Sequence, residues 1–301
     1  MALSISHFTS CKILPRLSRD NLYRLSSSSS SITMKSAVSD KQSYWTDINA
    51  DVKTYLEHSL PIRAPVVVHQ PMHDLVFAAP KTMASALCIA AYELVGGQRS
   101  EAVVAAACAI NLVHAASHTH AHLPNLLERT TPSAYGANIE LLTGDAISPL
   151  GFELLARSDV EGGNSERILR VIIEIARAMG GQGVVHGRYM HVKWAKGQKG
   201  EDGVDVIQEV CKKEAALYAC GAACGAILGG ASEEEVEKLR TYGLYIGMIW
   251  GMMYGAGREE SDRLKIAKGL APLALEELEG FDGEKVSEFS SLVGVWLGLS
   301  E

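Results

Sequence analysis

VVAAACAINLVHAASHTHAHLPNLLE, residues Val103–Glu128, decides how this chain is read. Its first half is Ala-rich and apolar, with none of the strict alternation of a strand, and predicts a helix. The second half gathers His114, His118, His120 and His122 and reaches Pro124. Proline lacks a backbone donor and disfavours helix just before itself, so the helix is expected to stop there. A helix that ends in clustered side chains above a loop is a common way to build a site.

The same period continues outward in both directions. Upstream, Ser43–Glu57 reads as an amphipathic helix, His69–Pro80 as a short segment broken by Pro71, and Met83–Val95 as an apolar helix closed by Gly96-Gly97. Downstream, Asn125–Ala137 is polar and Pro-interrupted, a loop, and helix resumes over Asn138–Ala156 with Gly144 and Pro149 as interruptions. Asn164–Gly180 places charges on one face and Ile, Leu and Ala on the other. Glu201–Gly230 and Ser232–Gly257 are two further helices, the second opened by a capping box of Ser232 and Glu235. Leu264–Glu279 is another, and the tail to Glu301 adds one more. Alternating patterns are nearly absent, so the fold class is all-α, a helical bundle.

Two glycine ladders sharpen this. Gly221, Gly225 and Gly229 recur every fourth residue, as do Gly243, Gly247, Gly251 and Gly255. Each costs roughly 1 kcal/mol against alanine inside a helix, so a packing reason is expected: close approach of helix backbones. The uncharged runs Ala215–Ser232 and Thr241–Gly257 resemble membrane spans by length. Small residues dominate them and no basic anchors flank them, so they are read as buried core helices with no membrane span.

The chain has 301 residues, 47% hydrophobic and 21% charged, and a formal net charge of -7. That supports a large buried core and disfavours a nucleic-acid binder, which would carry a basic patch. Residues 1–40 differ, being rich in Ser with several Lys and Arg and the acids Asp20 and Asp40 alone. They read as a plastid transit peptide, the alternative being a Ser-rich disordered tail with no address. Residues 41–301 are expected to form one domain. The cysteines Cys11, Cys88, Cys108, Cys211, Cys220 and Cys224 sit mostly in apolar stretches and form no secreted disulfide lattice. A reducing plastid stroma suits them.

Candidate sites are few. His114 and His118, four apart, could share a zinc ion, yet no HExxH occurs and His118, His120 and His122 do not share a helical face. Partly buried or interfacial histidines are the plainer reading. Cys220 and Cys224 share a face, but a regular helix does not readily supply disulfide geometry, which leaves packing or contact at an interface. Cations for an anionic ligand are Lys81, Arg129, Arg188, Lys193, Lys212 and Lys213, most of them expected to be solvated. No phosphate-cradling loop matches, and no catalytic centre is evident from the residues.

ALCIAAYELVGG (86–97), LLTGDA (141–146), ARAMGGQGVVHG (176–187) and CGAILGGASEEEVEKLRTYGLYIG (224–247) resemble plant geranylgeranyl diphosphate synthases. The likeness runs from about Tyr44 to Leu278 and implies the all-α trans-prenyltransferase (isoprenoid synthase) bundle. In that family two aspartate-rich motifs hold the Mg²⁺ ions that bind and ionise an allylic diphosphate. Where the first motif, D-D-L-P-x-x-D, belongs, this chain reads Ala121, His122, Leu123, Pro124, Asn125, Leu126, Leu127. Where the second ends in two aspartates, it has Tyr254 and Gly255 after Trp250. The diphosphate-gripping G-K-R-x-R keeps only Lys81, K-T becomes Lys213-Glu214, and G-Q-x-x-D becomes Gly187, Arg188, Tyr189, Met190, His191.

Loss of both motifs resembles the small subunits of heteromeric geranyl diphosphate synthases, and HAASHTHAHLP (114–124) and NIELLTGDAISPLGFELLARSD (138–159) carry that likeness. It implies no catalytic residue and no cofactor on this chain, with Mg²⁺ on a catalytic geranylgeranyl diphosphate synthase large subunit in a heterodimer or heterotetramer. Product would shift toward C10 geranyl diphosphate. Lys81 and Lys213 would be vestigial diphosphate contacts. Cys220 and Cys224 would touch the partner, the family's other CxxxC being broken at Tyr92. With Val103–Ser117 as the docking face, Cys108 and Leu112 would too. The alternatives are a weak stand-alone prenyltransferase using Lys81, His122 and Asn125, or a scaffold without effect on product.

Overall fold

Helix period all along the chain yields helices in space. The computed structural model describes residues 34–126, 134–159, 164–195, 206–254 and 260–297, and every regular element among them is an α-helix. The helices are α1 (Met34–Ser59), α2 (Val66–Ala78), α3 (Ala84–Leu94), α4 (Glu101–Leu126), α5 (Ala137–Arg157) and α6 (Ser165–Met179). They continue as α7 (Val184–Ala195), α8 (Val206–Gly229), α9 (Glu233–Tyr254), α10 (Glu260–Glu276) and α11 (Gly283–Trp296). Helix α1 opens at Met34, inside the stretch expected to lie outside the fold; residues 1–33 lie outside the described residues.

The centre is α4. Val103, Ala105–Ile110, Leu112, Val113, Ala115 and Ala116 are at most 2% exposed, and α1, α2, α3, α5, α6 and α8 all pack on it. A helix apolar on all sides must be enclosed. The apolar part of α8, Ala215–Gly229, is shorter than a membrane span, whereas α4 by length and composition could cross a membrane. It is the core of the bundle.

The first glycine ladder works as expected. A Cβ on Gly221 would stand 2.1 Å from the Ala84 carbonyl oxygen, and one on Gly225 would stand 2.0 Å from that of Cys88. Helix α3 therefore lies directly on the α8 backbone. The second ladder does the same for α9 on α8, with Gly243 against the Tyr218 carbonyl and Gly247 against Ala215 Cα.

Three prolines were read as breaks and are not. Pro71 and Pro149 lie inside α2 and α5, and α4 continues two residues past Pro124 to Leu126. Gly144 also lies inside α5, buried. One missing hydrogen bond per proline is a local cost; Pro71 is itself buried, and Pro149, exposed, rides on a helix whose other face buries Thr143, Ile147 and Leu155. Packing outweighs propensity here.

Helix ends follow their residues more closely. Gly96, at φ 90°, closes α3 with its N–H on the Glu93 carbonyl (3.1 Å) while Gly97 N–H reaches the Tyr92 carbonyl (3.0 Å), the Schellman pattern. At α9 the Glu235 carboxylate accepts from Ser232 N–H at 2.7 Å, and Ser232 Oγ accepts from Glu235 N–H at 3.3 Å. Ser232→Ala is expected to cost about 1 kcal/mol, read as a lower urea midpoint; an unchanged midpoint would remove the cap from the account.

Helix α6 turns Ile168, Val171 and Ile175 inward and seats buried Glu174 against Arg240 of α9 at 2.6 Å. Leu169 and Ile173 are left on the other face.

Candidate functional site

Where the strap before α3 meets α4, α7, α8 and α9 lies a cavity of about 140 Å³. Val184 and Leu217 give it apolar walls, and Trp250 of α9 stands beside them. Lys81, Thr82, His114, His118 and Arg188 supply its polar lining, and no carboxylate is among its described lining residues.

Each polar group has a local reason for its place. Thr82 is buried and its hydroxyl accepts the Ala84 N–H at 3.2 Å, which starts α3. His114 donates from Nε2 to the Pro80 carbonyl at 3.0 Å, pinning the strap that carries Lys81 to α4. His118 follows one turn later on the same face. Arg188 lies one turn into α7, half-buried, and Lys81 is exposed at the mouth.

The four histidines divide. His114 and His118 face the cavity, while His120 turns to α5, its Nε2 3.3 Å from both the Leu141 carbonyl and Asp145 Oδ1. Gly144 makes this possible, since a Cβ there would meet the imidazole at 2.4 Å. His122 is placed only by the backbone near the end of α4. Among the described residues no group of three His, Cys, Asp or Glu could hold a metal ion. Hard divalent cations require oxygen ligands, mostly carboxylates. A lining of imidazoles, a lysine and a guanidinium does not fit Mg²⁺.

Of the positions compared with the aspartate motifs, Ala121 is half-buried on α4, and Tyr254 ends α9. Leu127, Arg129 and Gly255 lie outside the described residues, and Asn125, Lys193, Lys212 and Lys213 are placed by backbone alone. The structure thus joins Lys81, His114, His118, Arg188 and Trp250, drawn from four stretches of sequence, in one place.

The residues expected at a partner interface sit elsewhere than expected. Cys108, Leu112 and Cys224 are 0% exposed and Cys220 3%. The Cys220 and Cys224 sulfurs are 3.6 Å apart as free thiols beneath α3. Burial pushes the Cys88 and Cys224 thiols well up, the Cys220 hydrogen bond adding to it at Cys224, which makes them inert packing groups. These four side chains are covered by this chain's own helices, as is most of Val103–Ser117, with Val104, Asn111, His114 and Ser117 half-buried.

Another surface is offered instead. Ile62 just before α2, Val66, Val67 and Val68 at its start, Ile139, Leu141 and Leu142 on α5, and Leu169 and Ile173 on α6 are exposed by 41–79%. Helix α2 packs on α5 and α5 on α6, so these residues lie on three neighbouring helices. Large apolar side chains exposed on neighbouring helices are the kind of surface that interaction sites use. One sequence signal was available: an apolar doublet such as Leu141-Leu142 spreads over about 100° of helix, wider than an inward stripe needs.

Comparison with known proteins agrees with the architecture. The Polyprenyl synthetase family profile matches residues 128–253. A Cannabis sativa heterodimeric geranylgeranyl pyrophosphate synthase small subunit 2, chloroplastic, is 48% identical over 84% of this chain and 91% of its own length. The corresponding small subunit of Arabidopsis thaliana is 33% identical over 85% and 82%. Among solved structures, a deletion mutant of the mint heterotetrameric geranyl pyrophosphate synthase superposes with TM-score 0.74 and 50% identity, over 84% of this chain and 99% of that one. The Antirrhinum majus geranyl diphosphate synthase small subunit gives 0.72 and 45%, over 84% and 98%. The chain belongs to the polyprenyl synthetase family, in its branch of plant heteromeric geranyl and geranylgeranyl diphosphate synthase small subunits.

Proposed function

We propose that this chain is a regulatory small subunit without prenyl transfer of its own. It docks on a catalytic geranylgeranyl diphosphate synthase large subunit, as heterodimer or heterotetramer, and shifts the product toward geranyl diphosphate, the precursor of monoterpenes. The observation that carries this is the cavity: its described lining holds no carboxylate, so the Mg²⁺-assisted departure of a diphosphate has no ligands here. The relatives named as small subunits support the docking, and the apolar surface of α2, α5 and α6 is the face for it.

Mg²⁺ belongs to the partner, whose cavity is reshaped, or whose product is released sooner, on docking. Little energy is needed, since 1.4 kcal/mol changes a branching ratio about tenfold. The Ser-rich, acid-poor leader and the chloroplastic relatives support a plastid address. The test is product analysis of a plant geranylgeranyl diphosphate synthase with and without this chain, beside the chain alone. A rise in the C10 share from the mixture and no product from the chain alone are expected; turnover by the chain alone would sink the reading.

A further inference from the structure

The C-terminal helix α11 is held from the other end of the chain. Its Phe289 is fully buried between Trp45 of α1, with ring centroids 6.1 Å apart at 67°, and Tyr242 of α9, at 5.2 Å. Tyr242 also donates its hydroxyl to the Phe289 carbonyl at 2.8 Å. Glu93 at the end of α3 joins the same two terminal helices. Its carboxylate accepts the Tyr44 hydroxyl at 2.8 Å, and its carbonyl accepts the Lys285 ammonium at 3.2 Å. Tyr44 and Trp45 thus clamp α11, which packs chiefly on α1, α3 and α9.

We propose that the plastid leader is cut between Ser31 and Tyr44, so that this clamp heads the mature chain. The proposal rests on the plastid reading and adds the place of the cut. Two independent observations bracket it. The buried stripe of α1 is Trp45, Ile48, Val52 and Leu56, at helical spacing, and four polar residues, Asp40, Lys41, Gln42 and Ser43, stand before it. Composition changes at the same point: the first 39 residues hold one acid, Asp20, whereas Asp40, Asp47, Asp51 and Glu57 follow closely. Acid-poor and Ser-rich sequence is that of a transit peptide, which puts the run Ser26–Ser31 on the discarded side. A cut in this window trims at most Met34–Ser43 from α1. A cut beyond Trp45 would take away an indole that is 8% exposed and uncover Phe289 of α11. The step is peptide-bond hydrolysis by a stromal protease, water supplying the hydroxyl of the leader's new carboxyl group and a proton to the new amine.

Import of the full chain into isolated chloroplasts, with N-terminal sequencing of the processed product, tests the cut. A first residue within 32–44 is expected. A product that begins at Trp45 or beyond, or that retains any of Ser26–Ser31, would overturn it. Exclusion from the chloroplast would overturn the leader as well, and the product-shift assay with purified proteins stands apart from either result. The clamp is read by tryptic cleavage after Lys285 in the purified chain, since local opening sets the rate of such cleavage. Trp45→Ala is expected to speed it about tenfold while cleavage after Lys238 in α9 keeps the parent's rate, and Trp45→Phe to restore most of the protection. Trp45→Leu, which keeps a larger apolar side chain, decides where the alanine variant does not fold. A folded variant cleaved after Lys285 at the parent's rate, or one cleaved equally faster after Lys238, would overturn the clamp.

Discussion

Gly225→Ala is expected to lower the melting temperature of the isolated chain by about ten degrees or to prevent folding. Alanine gains up to about 1 kcal/mol over glycine in a helix interior, so propensity alone predicts stabilisation. Against it stands the new Cβ, 2.0 Å from the Cys88 carbonyl oxygen and 2.8 Å from the Tyr92 amide nitrogen. Both are backbone atoms of α3 and cannot swing aside; the helices must part by more than an ångström. That strips contacts all along the α3–α8 seam, where Ala84, Leu87, Cys88 and Ala91 are buried. Overpacking of this kind costs about 1–3 kcal/mol and sometimes more, against a total stability of about 5–15 kcal/mol. Each kcal/mol moves the midpoint about 2–4 °C at this size. Gly269→Ala in α10, with nothing within 4 Å of the added Cβ, should be neutral or stabilising. Differential scanning calorimetry of the two variants decides it: Gly225→Ala melting at or above the parent would refute the close seam.

The second large effect concerns docking. Replacing Leu142 and Leu169 together by Asp should leave the monomer's melting temperature within a few degrees of the parent, because the side chains are 63% and 58% exposed and surface changes usually stay within about 0.5 kcal/mol. Affinity for the catalytic subunit should fall by about a hundredfold, since the core of an interface rarely accommodates an unpaired charge and central residues there carry about 2 kcal/mol or more each. Surface plasmon resonance against an immobilised plant geranylgeranyl diphosphate synthase reads the loss. Undiminished affinity would move the contact off α5 and α6. Cys220→Ser with Cys224→Ser is the companion: a folded double variant that no longer binds would restore the α8 thiols to the interface, against their burial.

Most of the fold was legible because helix period, caps and glycine ladders are local properties. Ser232 with Glu235, Gly96 with Gly97, and Gly221 with Gly225 each do in space what their spacing predicts. Pro71, Pro124 and Pro149 misled because proline's cost is local and the packing that outweighs it is not. The same limit bears on the expected interface. An apolar helix such as α4 reads alike whether a partner covers it or its own chain does. Only the three-dimensional count of neighbours separates Cys108, at 0% exposed, from Leu142, at 63%. The cavity was half legible. Lys81, His114, His118, Arg188 and Trp250 could each be noticed, but the strap, α4, α7 and α9 that bring them together are separated by up to 170 residues, 250 less 80 in Trp250 and Pro80.

One measurement bears on the central claim most directly: the prenyl diphosphates formed from dimethylallyl and isopentenyl diphosphates with Mg²⁺ by a catalytic geranylgeranyl diphosphate synthase, this chain, and the two together. The account predicts no product from this chain, C20 from the catalytic subunit, and a raised share of C10 from the mixture. Prenyl diphosphate made efficiently by this chain alone, or a complex whose product ratio equals that of the catalytic subunit, would contradict it.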